Sequence, residues 1–225
     1  MMKTSRSRSR SDQDQDQETF SYDLHGHTFQ SVDCAKYLGV TIEKNITWSK
    51  HIDNIHAKAN RLLGFLRRNL RVATTKTKEL TYKALVSPVI EYSCCVWDPS
   101  SQKDIDKLEK IQRRAARYVL NRHQKTESVE KLKWQTLQER HRTTRLNMFY
   151  MIHNRLVNVK CNKLKPLPTR SQHKGHNAMY ERITGRTDYC NNSFFPRTIR
   201  DWNSLPQAVV ESPSLSTFSA RVARH

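Results

Sequence analysis

The chain has 225 residues, with 40 Lys and Arg against 21 Asp and Glu, a formal net charge of +19. That excess favours polyanionic partners, because counterion release from phosphate backbones drives basic proteins onto nucleic acid. Five glycines supply no Gly-rich phosphate cradle, five cysteines without a regular framework do not read as a secreted disulfide scaffold, and no run approaches the roughly 18 apolar residues of a membrane span. The expected setting is intracellular, nuclear or cytoplasmic, with no membrane partner.

Arg and Ser alternate from Ser5 to Ser11, and Asp and Gln alternate from Asp12 to Gln17. Residues 1–19 therefore read as a disordered low-complexity leader that cannot bury a core. Residues 20–46 read as a small antiparallel β element. Phe20, Tyr22 and Leu24 alternate, His25-Gly26-His27 supplies a turn, and Tyr37 to Ile42 is a further strand, giving a hairpin plus a third strand.

Residues 47–159 read as a basic helical domain. Thr47 is placed to cap a helix whose Ile52, Ile55, Ala59, Leu62 and Leu66 recur at three and four. Thr74 or Thr75 starts a second, bearing Leu80, Ala84 and Leu85, which Pro88 kinks or restarts. Ser101 opens a third helix through about Leu120, and Thr136 with Glu139 is a capping box for a fourth, to about Arg155. Residues 160–225 read as an irregular basic segment, with Phe194 to Leu205 docking back and a final helix from about Ser216. The fold class is thus mainly α, with a small N-terminal β hairpin or sheet, a basic helical bundle and an irregular C-terminal region.

The strongest local signal is in the third helix. Lys103, Lys107, Lys110, Arg114 and Arg117 follow one another at four, three, four and three, lining one face beside the apolar stripe Ile105, Leu108, Ile111, Ala115 and Tyr118. Such rows are commonly solvated faces. Here Asp104, Asp106 and Glu109 lie elsewhere on the wheel, which favours nucleic-acid contact. Arg61, Arg67, Arg68 and Arg71 form a second cluster at the end of the first helix, more cations than the helix dipole alone explains.

No catalytic constellation is found. Asp12, Asp14 and Asp16 have no scaffold to fix two metals, and no serine sits in a nucleophile elbow. Cys161, His173, His176 and Cys190 have neither a C-x-x-C pair nor a knuckle spacing, so no metal site is expected. Trp48, Trp97, Trp134 and Trp202 are assigned to packing before base stacking.

An ordered set of short motifs runs through the chain: Lys36-Tyr37-Leu38-Gly39-Val40, Gly64-Phe65-Leu66-Arg67-Arg68-Asn69-Leu70, Pro88 to Asp98, Gln112 to Arg117, Leu132 to Arg140, and Phe194 to Pro206. Together they resemble the region that follows the catalytic palm in reverse transcriptases of non-LTR retrotransposons, whose endonuclease/reverse transcriptase polyprotein is an RNA-directed DNA polymerase. The resemblance implies a truncated product with a replacement start, whose helices are thumb-like. Arg67, Arg68, Arg114 and Arg117 would grip phosphate, and Tyr37 and Gly39 would sit in a primer-grip-like turn. The family's Asp-Asp turn is absent from this sequence. The chain alone is therefore expected to be no enzyme and to need no cofactor, the family's Mg belonging to the missing palm. Sequence-tolerant binding to RNA, DNA or hybrid is the implied activity. A basic helical interaction module and a non-functional pseudogene-like product are the alternatives.

Overall fold

The computed structural model describes residues 23–24, 27–28, 31–121, 128–159, 162, 164–168 and 176–225. The chain divides into two units, 1–33 and 34–225. The leader, the His25-Gly26 turn, Cys161 and His173 fall outside the described residues. In the first unit β1 (Asp23–Leu24) pairs antiparallel with β2 (His27–Thr28), in the register Leu24 to His27.

The second unit opens on another hairpin, β3 (Cys34–Tyr37) and β4 (Val40–Glu43). The expected single strand from Tyr37 to Ile42 is therefore two strand ends around a two-residue turn, and the described sheets are two separate pairs. Leu38 (φ 45°) and Gly39 (φ 84°) both take positive φ, the requirement of the tight turn that suits strand twist. The strain falls on Leu38, and the Tyr92 hydroxyl donates to its carbonyl at 3.1 Å. An apolar β-branched run looks continuous by composition, and only Gly39 marks the break.

Helix α1 (Ser49–Asn69) starts at Trp48, one residue beyond the expected cap, because Thr47 spends its hydroxyl on Glu43 and Asn45. Its buried face is Ile52, Ile55, Ala59, Leu63 and Leu66, with His51. Thr74 caps α2 (Thr75–Thr81) by accepting from the Thr77 amide. Here the expected face is reversed. Leu80, Ala84 and Leu85 are exposed, while Lys78, Tyr82, Val86 and Ile90 point inward at intervals of four. Tyr82 stacks on Trp134 with ring centroids 4.7 Å apart, and the Lys78 ammonium finds a carbonyl and an amide inside. Those partners outweigh two leucines.

Pro88 acts as expected, with a specific geometry. Lacking an N–H it cannot bond the carbonyl four residues back, and the chain passes through a π turn over Tyr82–Val86, in which the Ser87 amide reaches the Tyr82 carbonyl. Helix α3 (Ser87–Glu91) ends at Tyr92, and α4 (Cys94–Trp97) restarts after Ser93 at φ 53°. The Trp97 indole holds the break by donating to the Tyr92 carbonyl at 2.8 Å. Helix α5 (Gln102–Val119) packs on α1 and closes the first core with Leu108, Ile111, Ala115, Tyr118 and Val119.

After a short α6 (Ser128–Lys131), the Thr136–Glu139 capping box opens α7 (Leu137–His153), as read from the sequence. Leu137 belongs to the first core, whereas Leu146, Phe149 and Tyr150 belong to a second. That second core corrects the expectation of an irregular C-terminal segment. It is built with α8 (Asp188–Asn191), α9 (Phe194–Asn203), α10 (Gln207–Val210) and α11 (Leu215–Val222), around a fully buried Trp202. The final helix is capped by Ser214. Short helices separated by prolines and serines carry little periodicity of their own, which is why they escape a pattern reading.

Buried charge pins the two cores together. The Asp98 carboxylate meets the Arg145 and Arg197 guanidiniums and lies 2.9 Å from Nδ1 of His141, and Asp201 takes Arg145 Nη2 at 2.7 Å. Arg197 also donates to the Asp98 and Pro99 carbonyls, both at 3.1 Å. The run Phe194 to Pro206 is therefore structural. His176 is likewise a packing residue, with Nε2 2.9 Å from the Trp202 carbonyl and Nδ1 accepting from the Ala178 amide. No cluster of metal-ligating side chains occurs among the described residues.

Candidate nucleic-acid interface

Helices α1 and α5 run side by side in the same direction. The cross-helix contacts advance together along both: Asp53 with Lys107, Asn60 with Arg114, and the Leu66 carbonyl with the Tyr118 hydroxyl at 3.3 Å. Parallel packing brings both C-terminal ends to one place. Each end carries the cations that complement its own dipole, and α2 adds Lys78 from behind. The result is a cleft of about 510 Å³ lined by Arg67, Arg71, Lys78, Arg114, Arg117, Tyr118 and Asn121. Among the described residues no carboxylate lines it or pairs with its cations.

Beside the cleft, His56, Asp106, Lys107, Lys110, Arg113 and Arg117 line a shallower groove of about 620 Å³. Arg117 belongs to both, so the basic surface is continuous from the middle of α5 to its end. The potential there leaves a mark on His56. Its pKa is held below the ordinary histidine value, first by partial burial and next by the charges of Lys107 and Arg114, against the opposing pull of Asp53.

The predicted residues are distributed unevenly. Arg67, Arg71, Arg114 and Arg117 converge on the cleft, and Lys107 and Lys110 lie in the adjoining groove. Arg68 is exposed and lies over Gly64. Arg61 faces elsewhere, lining a groove with Lys36, Lys58 and Gly39 beside the hairpin turn. Tyr37 is two-thirds exposed on that hairpin. Lys103 lines a further pocket, with Trp48 and Asp98. Lys107 is already satisfied, bonded to Asp53 and 3.6 Å from Asp104. The wheel of α5 alone cannot show that pairing, because Asp53 arrives from α1.

Sequence reasoning missed Arg113 and Lys78. Arg113 stands next to Arg114 but off the three-four row. Lys78 sits among Thr and Lys at the start of α2, and its only signal is the fourfold spacing to Tyr82 and Val86. Its ammonium donates to the Arg71 carbonyl at 3.0 Å and to Asn121 Oδ1 at 2.6 Å, and lies 5.5 Å from the centre of the Tyr118 ring.

Comparison with known proteins points the same way over part of the chain. It is 27% identical over 90 residues to a "Probable RNA-directed DNA polymerase from transposon X-element" of Drosophila melanogaster, covering 39% of this chain and 10% of that polymerase. It is 26% identical over 104 residues to a "Probable RNA-directed DNA polymerase from transposon BS" of the same organism, covering 45% of this chain and 12% of the other. The chain is thus distantly similar to transposon reverse transcriptases, and the match spans about a tenth of their length. No family profile matches the sequence, and no solved structure matches it.

Proposed function

We propose that this chain is a nucleic-acid-binding fragment of a non-LTR retrotransposon reverse transcriptase, corresponding to the thumb-like region after the palm. It holds RNA, DNA or a hybrid duplex by phosphate contacts that do not depend on base sequence. The observation that carries this reading is the continuous run of cations formed where the parallel α1 and α5 end together. Distant similarity to RNA-directed DNA polymerases supports it independently. No Asp-Asp pair is present in the sequence, and the chain alone is proposed to have no polymerase activity and to act in the nucleus or cytoplasm.

A double charge reversal, Arg114→Glu with Arg117→Glu, tests the proposal. Both side chains are on the surface of α5, so the circular-dichroism spectrum and unfolding midpoint should stay close to the parent's. Affinity for a mixed-sequence duplex should fall at least about tenfold. Parental affinity in a folded double mutant removes α5 from the interface. A second reading, a helical module that docks on an acidic protein, draws on Tyr37, Leu38 and Tyr92, which stay largely exposed on and beside the hairpin. Binding that ignores salt and is lost on replacing Tyr37 and Leu38 by Ser would favour it.

A further inference from the structure

The cleft between the ends of α1 and α5 differs in kind from the row of cations along α5. A row suits a backbone in which each diester brings one charge. The cleft instead gathers Arg67, Arg71, Lys78, Arg114 and Arg117 around about 510 Å³, a volume within the ~300–1,000 Å³ of small-ligand sites. Five cations on one small space match a ligand that concentrates several charges.

Lys78 carries the argument furthest. It is 1% exposed, yet its partners are neutral: the Arg71 carbonyl, the Asn121 amide oxygen and the face of Tyr118. An ammonium has three donors, and the two oxygens account for two. A buried charge is costly unless an opposite charge or a full set of hydrogen bonds answers it. Glu79, next along the chain, is committed to Lys83 at 2.7 Å and to the Trp134 indole at 3.0 Å. Within the described residues the countercharge is missing, and the site's geometry allows an anion to supply it.

We infer that this cleft is a seat for a clustered phosphate, a terminal mono- or triphosphate of a nucleic-acid strand or a free oligophosphate, with Lys78 as its floor and Arg71 and Arg117 at its rim. The inference deepens the nucleic-acid reading and rests on it for the strand-end source alone. Internal diesters would lie along the α5 groove, and the multiply charged group would enter the cleft.

The test uses the full chain and three oligonucleotides of one sequence, ending in a 5′-hydroxyl, a 5′-monophosphate or a 5′-triphosphate, titrated by fluorescence anisotropy. Inorganic tripolyphosphate is the competitor and ligand for thermal shift, with sulfate at matched ionic strength as control. The triphosphate end should bind about tenfold tighter than the hydroxyl end, the scale of one or two charge-assisted hydrogen bonds. Tripolyphosphate should erase that difference and raise the melting temperature more than sulfate does. Lys78→Met should abolish the discrimination. Because Lys78 also ties the ends of α1 and α5, the rim pair Arg71→Gln and Arg117→Gln provides the same test without touching the core. Tripolyphosphate stabilisation without binding of any oligonucleotide would retain the seat, with free oligophosphate as its ligand, and defeat the nucleic-acid reading. Equal binding of all three ends with no shift beyond sulfate would overturn the seat and leave the nucleic-acid reading standing.

Discussion

Lys107 and Lys110 are one helical turn apart on α5, but they enter the binding surface differently. Lys107 is held by Asp53, whose hydrogen bond is the main cause of a pKa above the ordinary lysine value, while burial works against it. Its charge is already spent on a neighbour, so transfer to phosphate requires breaking one pair to make another. Lys110 is exposed in the same groove. Lys110→Gln should therefore weaken duplex binding several-fold, whereas Lys107→Gln should change it by about twofold or less. In the unfolding measurement the order reverses. Loss of the largely exposed Lys107–Asp53 pair should cost about 0.2–1 kcal/mol, and loss of Lys110 should be close to neutral. Equal affinity losses for both substitutions would show that the pair opens on binding.

At the level of the element, sequence patterns succeeded where one segment carries its own signal and failed where two segments decide. The Thr136–Glu139 box and the apolar stripe of α5 need nothing outside their own residues, and both stand as read. The face of α2 was misread because Leu80 and Leu85 outrank Lys78 on any hydropathy scale, while the partners that draw Lys78 inward come from Arg71 and from Asn121, 43 residues away. The candidate site was legible to a similar degree. Its cations were visible, but their sorting into a cleft, a groove and a paired residue depends on the parallel packing of α1 and α5.

The hairpin's attachment to α1 is also a two-segment feature, and it has a pH consequence. The Thr41 amide donates to Nδ1 of His51 at 3.2 Å, so that nitrogen must be unprotonated, and burial lowers the His51 pKa. The unfolded chain therefore binds protons more readily than the folded one below the ordinary histidine value of about 6.5. The contribution of this contact is intact above that pH and is lost as the pH falls through the folded value. Hydrogen exchange at Thr41, corrected for its intrinsic rate, should show full protection at about pH 7.5 and reduced protection at lower pH. His51→Gln should remove most of that pH dependence. Protection that holds or rises on acidification would mean that the imidazole does not anchor the hairpin.

For the whole molecule the decisive quantity is the dependence of affinity on salt, because it counts phosphates without requiring knowledge of which nucleic acid is bound. The net charge of +19 is no guide to that count. Arg145 and Arg197 are buried against Asp98, and Lys107 is paired, so much of the basic excess is not available to a ligand. The cleft and groove leave Arg67, Arg71, Arg113, Arg114, Arg117 and Lys110 on one continuous surface. If those six meet duplex phosphates, the logarithm of the binding constant should fall with the logarithm of salt with a slope of about −5, at roughly −0.9 per contact, and a single strand should give a shallower slope. Replacing Arg114 and Arg117 by Gln should flatten the duplex slope by about 2, uniformly across sequences, because neither side chain is required to read a base. A slope near zero with intact affinity would assign the binding energy to the exposed apolar hairpin. A slope much steeper than six contacts allow would bring in the separate groove of Lys36, Lys58 and Arg61, extending the interface around α1 toward the turn at Gly39.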